Sequence, residues 1–162
     1  MQIVKITKEN VIGVAHLVAD FRVALKSYKG IVANPNAEAG KEEINEYINA
    51  GFPCYAACEE DRYLGYIVCR IDEPCVWVES IYTVPEYRGR GVASALLKKA
   101  EELAEERGED TAFHWVHPNN HRMIGFLRKH GYTVLNLIEV RKPYQGEKLT
   151  QTITVGEHEF DY

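Results

Sequence analysis

The residues with most capacity for chemistry fall between Glu79 and Ser94. The run Ile81-Tyr-Thr-Val-Pro-Glu-Tyr-Arg-Gly-Arg-Gly-Val-Ala-Ser-Ala-Leu-Leu97 reads as a buried strand, a glycine-rich turn and the start of a long helix. Successive main-chain N–H groups at a helix N-terminus attract anions, and glycine lets the backbone approach them closely. Arg88 to Ser94 therefore reads as a phosphate cradle. It is not a nucleotide-hydrolysing phosphate loop, because no Lys-Ser/Thr pair follows Gly91, and Ser94 stands where a dinucleotide fingerprint needs its third glycine. Upstream, Glu79 interrupts an apolar run, and strict alternation puts it on one strand face with Trp77, Ile81 and Thr83. A carboxylate in such a setting suits general-base work, or it is a structural group paired with an arginine or the backbone. His114 and His117 are further candidates, with a structural role as the favoured reading for both.

Positioning these groups requires an ordered set of elements. Gln2 to Ile6 alternates as a strand, and Glu9 to Tyr28 carries apolar residues at helical spacing, with a break expected near Asp20. Asn34-Pro35-Asn36 marks a loop, and Ala37 to Ala50 a second helix stopped by Gly51 and Pro53. Cys54 to Glu59 and Leu64 to Ile71 read as a hairpin. Val76 to Val84, apolar on both faces, reads as a central strand. A helix follows over Gly91 to Arg107, then a strand over Thr111 to His117, a helix over Asn120 to His130, and strands over Tyr132 to Arg141 and Thr150 to Phe160. This order predicts an α/β (α+β) fold, a mixed sheet with helices on both faces, in a single domain over residues 1–162.

Composition narrows the function classes. The chain has 162 residues, 46% of them apolar, enough for a core without staples. A net charge of −5 argues against a nucleic-acid footprint. Charged residues interrupt every apolar stretch and the start lacks a signal-peptide core, so a cytoplasmic protein with no membrane association is expected. The four cysteines, Cys54, Cys58, Cys69 and Cys75, contain no CxxC pair and read as small buried hydrophobes, so neither disulfides nor a metal site is expected.

Arg88-Gly89-Arg90-Gly91-Val92-Ala93 resembles the Arg/Gln-x-x-Gly-x-Gly/Ala motif of the GNAT superfamily of N-acetyltransferases. Asn120-His-Arg-Met-Ile-Gly-Phe-Leu-Arg-Lys-His-Gly131-Tyr132 is similar to a second motif of that family, and the element order matches its mixed, mostly antiparallel sheet. The resemblance implies acetyl-CoA as cosubstrate, its diphosphate held by the amides of Arg88, Gly89, Arg90, Gly91, Val92, Ala93 and Ser94. It further implies that backbone groups of Tyr82, Thr83 and Val84 meet the pantetheine arm and thioester carbonyl, with Asn120 contacting the cofactor or capping its helix. Many members carry a tyrosine as general acid where this chain has Leu127.

The implied reaction moves an acetyl group directly to a primary amine of a small molecule or protein within a ternary complex. An alkylammonium with a pKa near ~10.4 needs a base more than a thiolate of pKa near ~8.5 needs an acid, and Glu79 is the candidate. The family's acceptor enters near Phe21 to Ala37 and Leu135 to Tyr144. The acidic residues Glu38, Glu42, Glu43 and Glu46 would favour a cationic acceptor if they face that cleft. The alternative is a catalytically silent acyl-CoA-binding or sensing module, and a homodimer is left open.

Overall fold

The computed structural model describes all 162 residues, in two compact units, Met1–Gly125 and Phe126–Tyr162. The first contains strand β1 (Gln2–Lys5), helices α1 (Val11–Ser27) and α2 (Ala37–Asn49), strands β2 (Cys54–Glu59), β3 (Arg62–Asp72) and β4 (Cys75–Thr83), helix α3 (Val92–Glu105) and strand β5 (Ala112–His114). Helix α4 (His121–Lys129) bridges the unit boundary in sequence, and β6 (Thr152–Val155) and β7 (His158–Asp161) belong to the second.

The five strands of the first unit lie in chain order β1-β2-β3-β4-β5. All pairs are antiparallel except β4 with β5, which are parallel and joined through α3. One sheet face packs on α3 through Ile67, Cys69, Val76, Val78, Leu96 and Ala100. The other packs on α1 and α2 through Val14, Leu17, Val18, Ile44, Tyr66 and Val68. A fully buried aliphatic side chain such as Leu96 contributes about 1.5–3 kcal/mol of apolar burial, so two such layers hold the central strand in place.

Asp20 does not break α1, which runs unbroken from Val11 to Ser27. Apolar residues on both sides of Asp20 keep one stripe in the core, and that packing outweighs one weak helix former. Helix α2 crosses α1 closely at Gly40, where an added Cβ would overlap the Ala15 carbonyl oxygen. All four cysteines are free thiols. No helix is long and apolar enough to cross a membrane.

The second unit departs from expectation. Tyr132 to Arg141 forms no strand, and Val134, Leu135, Leu137 and Val140 are exposed. Its β-branched composition suits a strand, but a strand is completed only by ladder partners, and none pairs with it. Thr150 to Phe160 forms a hairpin in place of one strand. Val155 pairs with His158 across Gly156-Glu157, with Gly156 at φ 62°, which the tight hairpin turn requires.

Candidate functional site

Strand β4 presents the candidate groups, and two features of its pairing decide how. On one side β5 accompanies it only over Val76, Val78 and the Trp77 between them, so Glu79 to Thr83 have no partner there. On the other side the register with β3 slips: Val68 faces Ser80 while Cys69 faces Val78, leaving Glu79 as an extra residue. This is a β-bulge, which re-aims the side chains that follow it.

The bulge corrects the expected face of Glu79. Val76 and Val78 face α3, and beyond the bulge it is Ile81 that does so, while Tyr82 and Val84 pack toward α1 and α2. Glu79 thus shares a face with Trp77 but not with Ile81 and Thr83. By alternation with Val76 and Val78 it lies on the side of the sheet away from α3. Nor is its setting purely apolar. Nε of Arg70 lies 2.7 Å from its Oε1, a close ion pair whose N–H is not aligned as a hydrogen bond, and the side chain is 21% exposed. Arg70 also reaches Asp72 at 3.2 Å, and its guanidinium lies 5.1 Å from the Trp115 ring centroid. Sequence reading missed Arg70 and Trp115. The signal available was that Arg70 sits opposite Trp77, which only the strand register reveals.

Backbone direction follows from one hydrogen bond. Val84 N–H donates to the Leu64 carbonyl at 2.9 Å, so alternation along the antiparallel ladder turns Tyr82 and Val84 toward β3 and Ile81 and Thr83 toward the unpaired side. Of the three backbone units Tyr82, Thr83 and Val84, only Thr83 faces outward, and Ile81 joins it. The Thr83 carbonyl accepts Arg88 Nε at 3.0 Å, which ties the turn to the strand end. The Arg88 guanidinium also stacks 5.7 Å from the Tyr82 ring, and that of Arg90 5.3 Å from the Tyr87 ring.

After a short 3-10 turn, Pro85–Tyr87, the chain enters α3 through Gly89 at φ 74° and Gly91 at φ 83°. Both are left-handed, where glycine carries no Cβ penalty. No side chain caps α3, and its first turn, which includes Val92, Ala93 and Ser94, holds no acidic residue. A helix end with its dipole uncompensated is suited to an anion. The donor set fits a phosphate group.

Asn120 is a helix cap: its Oδ1 accepts Met123 N–H at 3.1 Å. Burial pushes His114 down to about 4, so it is neutral, and His117 is lowered by burial and by Lys29. His117 Nδ1 accepts Asn119 N–H at 3.1 Å, and its ring stacks on Tyr28 at 6.2 Å. These surroundings fit structural roles for both histidines. Leu127 is buried. Surface hollows at Lys5 to Phe52 and at Met1 to Asp61 include none of the site residues. No cluster of His, Cys, Asp and Glu has the arrangement of a metal site.

Beside Glu79, the α1–α2 face carries a polar group of its own. Arg22 Nε donates to Glu43 at 2.7 Å, and Tyr47 donates to the same carboxylate at 3.1 Å. Burial, then the Glu43 charge, pushes the Tyr47 phenol up to about 12. The Tyr66 and Ser80 hydroxyls lie side by side in the core with neither in an aligned hydrogen bond, and burial raises the Tyr66 phenol.

Residues 8–132 match the Acetyltransferase (GNAT) family. The chain belongs to this family. An uncharacterized N-acetyltransferase of Methanocaldococcus jannaschii is 29% identical over 90 residues, covering 48% of this chain and 38% of that protein. A second uncharacterized N-acetyltransferase, from Archaeoglobus fulgidus, is 28% identical over 121 residues, covering 65% and 78%. The GNAT chain thus spans well under half the length of the first relative. Among solved structures, the aminoglycoside N-acetyltransferase AAC(6')-Iy in complex with CoA superposes with a TM-score of 0.68 at 17% identity, over 87% of this chain and 93% of that one. A ribosomal-protein-alanine N-acetyltransferase from Brucella melitensis biovar Abortus 2308 gives 0.68 at 14% identity, over 89% and 100%. At these identities the likeness is one of fold, and the GNAT arrangement is the mixed, mostly antiparallel sheet described above.

Proposed function

We propose that this GNAT protein is an acetyl-CoA-dependent N-acetyltransferase that moves acetyl directly to a primary amine within a ternary complex. The observation that carries the reading is the uncapped N-terminus of α3, entered through Gly91 after the turn that leaves an interior strand whose edge is unpaired from Glu79 onward. Acetyl-CoA supplies the diphosphate and the activated thioester carbonyl. The amides of the Gly89 to Ser94 turn hold the diphosphate; that of Arg88, expected with them, donates instead to the Pro85 carbonyl at 3.2 Å. The outward N–H groups of Ile81 and Thr83 pair with the amide-bearing arm and donate to the carbonyl oxygen as negative charge develops on it. Glu79, directly or through water, accepts one proton from the acceptor ammonium, with Arg70 fixing the orientation of that carboxylate. The free amine attacks the carbonyl, and as the C–S bond breaks the departing thiolate takes its proton from the ammonium of the tetrahedral intermediate or from water. Asn120 caps the start of α4, and its side chain contacts the cofactor from that side.

Free coenzyme A released from acetyl-CoA in the presence of a panel of amines and peptides tests this reading. Turnover with any amine supports it. Thermal stabilisation by acetyl-CoA with no turnover on any amine replaces it with a silent acyl-CoA-binding module.

A further inference from the structure

The chain has two tryptophans, and they meet in one stack, Trp77 and Trp115, with ring centroids 4.5 Å apart and planes at 20°. Trp77 is backed by Phe113 at 5.0 Å, its cross-strand neighbour on β5. Trp115 follows β5 just where that strand leaves β4, and 53% of it is exposed. The stack shares the face of Glu79, and Arg70 links them, touching the carboxylate and the Trp115 ring. Tryptophan carries one of the largest apolar surfaces of any side chain, so leaving half of one uncovered beside the candidate base forgoes substantial burial.

The charge on this face is modest. The carboxylates of Glu79 and Asp72 both pair with Arg70, leaving two negative charges against one positive. Of the acidic face expected on α2, Glu43 pairs with Arg22 and Glu38 with Lys41, while Glu42 and Glu46 make no ion pair. On the Glu79 face itself a polycation would find only the two carboxylates that share Arg70. A monoamine on a flat, apolar body would find an aromatic wall for the body and one carboxylate for the ammonium.

We propose that Trp115, supported by Trp77, determines acceptor specificity by stacking on the acceptor, and that the acceptor is a primary monoamine carried on a flat apolar group, of the arylalkylamine class. The inference rests on the acetyl-transfer reading for the role of Glu79. It places on Trp115 no part in holding acetyl-CoA.

Because both tryptophans lie in the stack, intrinsic fluorescence reports occupancy of this face. The protein saturated with coenzyme A, which has no acetyl group to transfer, is titrated with 2-phenylethylamine and with spermidine, and both amines are assayed separately for acetylation with acetyl-CoA. Phenylethylamine is expected to change the fluorescence saturably and to be the better substrate. Trp115→Ala is expected to raise its KM by ~10-fold or more with the KM for acetyl-CoA unchanged, and Trp115→Phe to restore most of the loss. The exposed position of Trp115 outside β5 lets both variants fold. Preference for spermidine, absence of a phenylethylamine response, or an unchanged KM in Trp115→Ala would overturn the proposal. Saturable phenylethylamine binding that Trp115→Ala abolishes, without product from any amine, supports the stacking role and sinks acetyl transfer. Turnover of spermidine indifferent to Trp115 does the reverse.

Discussion

At the β4–α3 turn the candidate groups are main-chain N–H groups aimed by two left-handed glycines, whereas around Glu79 they are side chains delivered by two neighbouring strands and the segment after β5. The turn is local: Thr83, Arg88 and Gly91 lie within a few residues of one another, and Arg88 braces the strand end. The Glu79 face is assembled across the sheet, from Arg70 on β3, Trp77 on β4 and Trp115 beyond β5. A ligand common to a whole family can be met by backbone geometry, which tolerates changes of side chain. A ligand particular to one protein needs side chains, and these vary.

The widest separation between the two regions is expected from Glu79→Gln, which lowers turnover by roughly 10²–10⁴-fold while acetyl-CoA affinity is kept. Steady-state rates beside calorimetric titration check this; an unchanged rate would return Glu79 to a purely structural role. The converse is Gly91→Asp, which places an L residue at φ 83° and a negative charge at the α3 N-terminus. Acetyl-CoA affinity should fall on the order of 100-fold, about 2.7 kcal/mol, by calorimetry. Wild-type affinity in this variant would break the cradle assignment.

Two smaller effects sharpen the contrast between backbone-made and side-chain-made features. Gly40→Ala should cost roughly 1–3 kcal/mol in chemical denaturation, because its Cβ meets the Ala15 carbonyl and backbone cannot yield as a side chain does. His114, opposite Val78 where β5 leaves β4, has its folded pKa lowered to about 4 by burial. Between that value and the unfolded value near ~6.5 the unfolded chain binds a proton that the folded chain does not, so stability falls as pH drops through this window. The loss should reach about 1–2 kcal/mol by pH 5, and His114→Asn should flatten that part of the stability curve.

Much of the turn is legible in the amino-acid sequence. Glycines, Pro85 and the apolar spacing of α3 act locally, and local rules survive folding. The same holds for β4 as a central strand. The face of Glu79 is half legible: alternation places it correctly with Trp77, and fails at Ile81 because the bulge lies in the pairing with β3, which no spacing within β4 encodes. Arg70 as its partner is hidden for the same reason. Tyr132 to Arg141 shows the opposite failure, a strand-like composition with no ladder to join. Asp20 shows a third, a local helix-breaking signal overridden by the core on either side of it.

The early parting of β4 from β5 also has a consequence in time. Amides in the middle strand of a sheet ordinarily exchange their hydrogens slowest of all, since they open only when the whole domain opens. Here the N–H groups of Ile81 and Thr83 lie inside the sheet in sequence order yet face no neighbouring strand. They should exchange at loop-like rates while Tyr82 between them stays protected, a one-residue alternation along a single strand. Bound acetyl-CoA should erase that alternation, so an interior strand would also be the one whose exchange responds most to ligand.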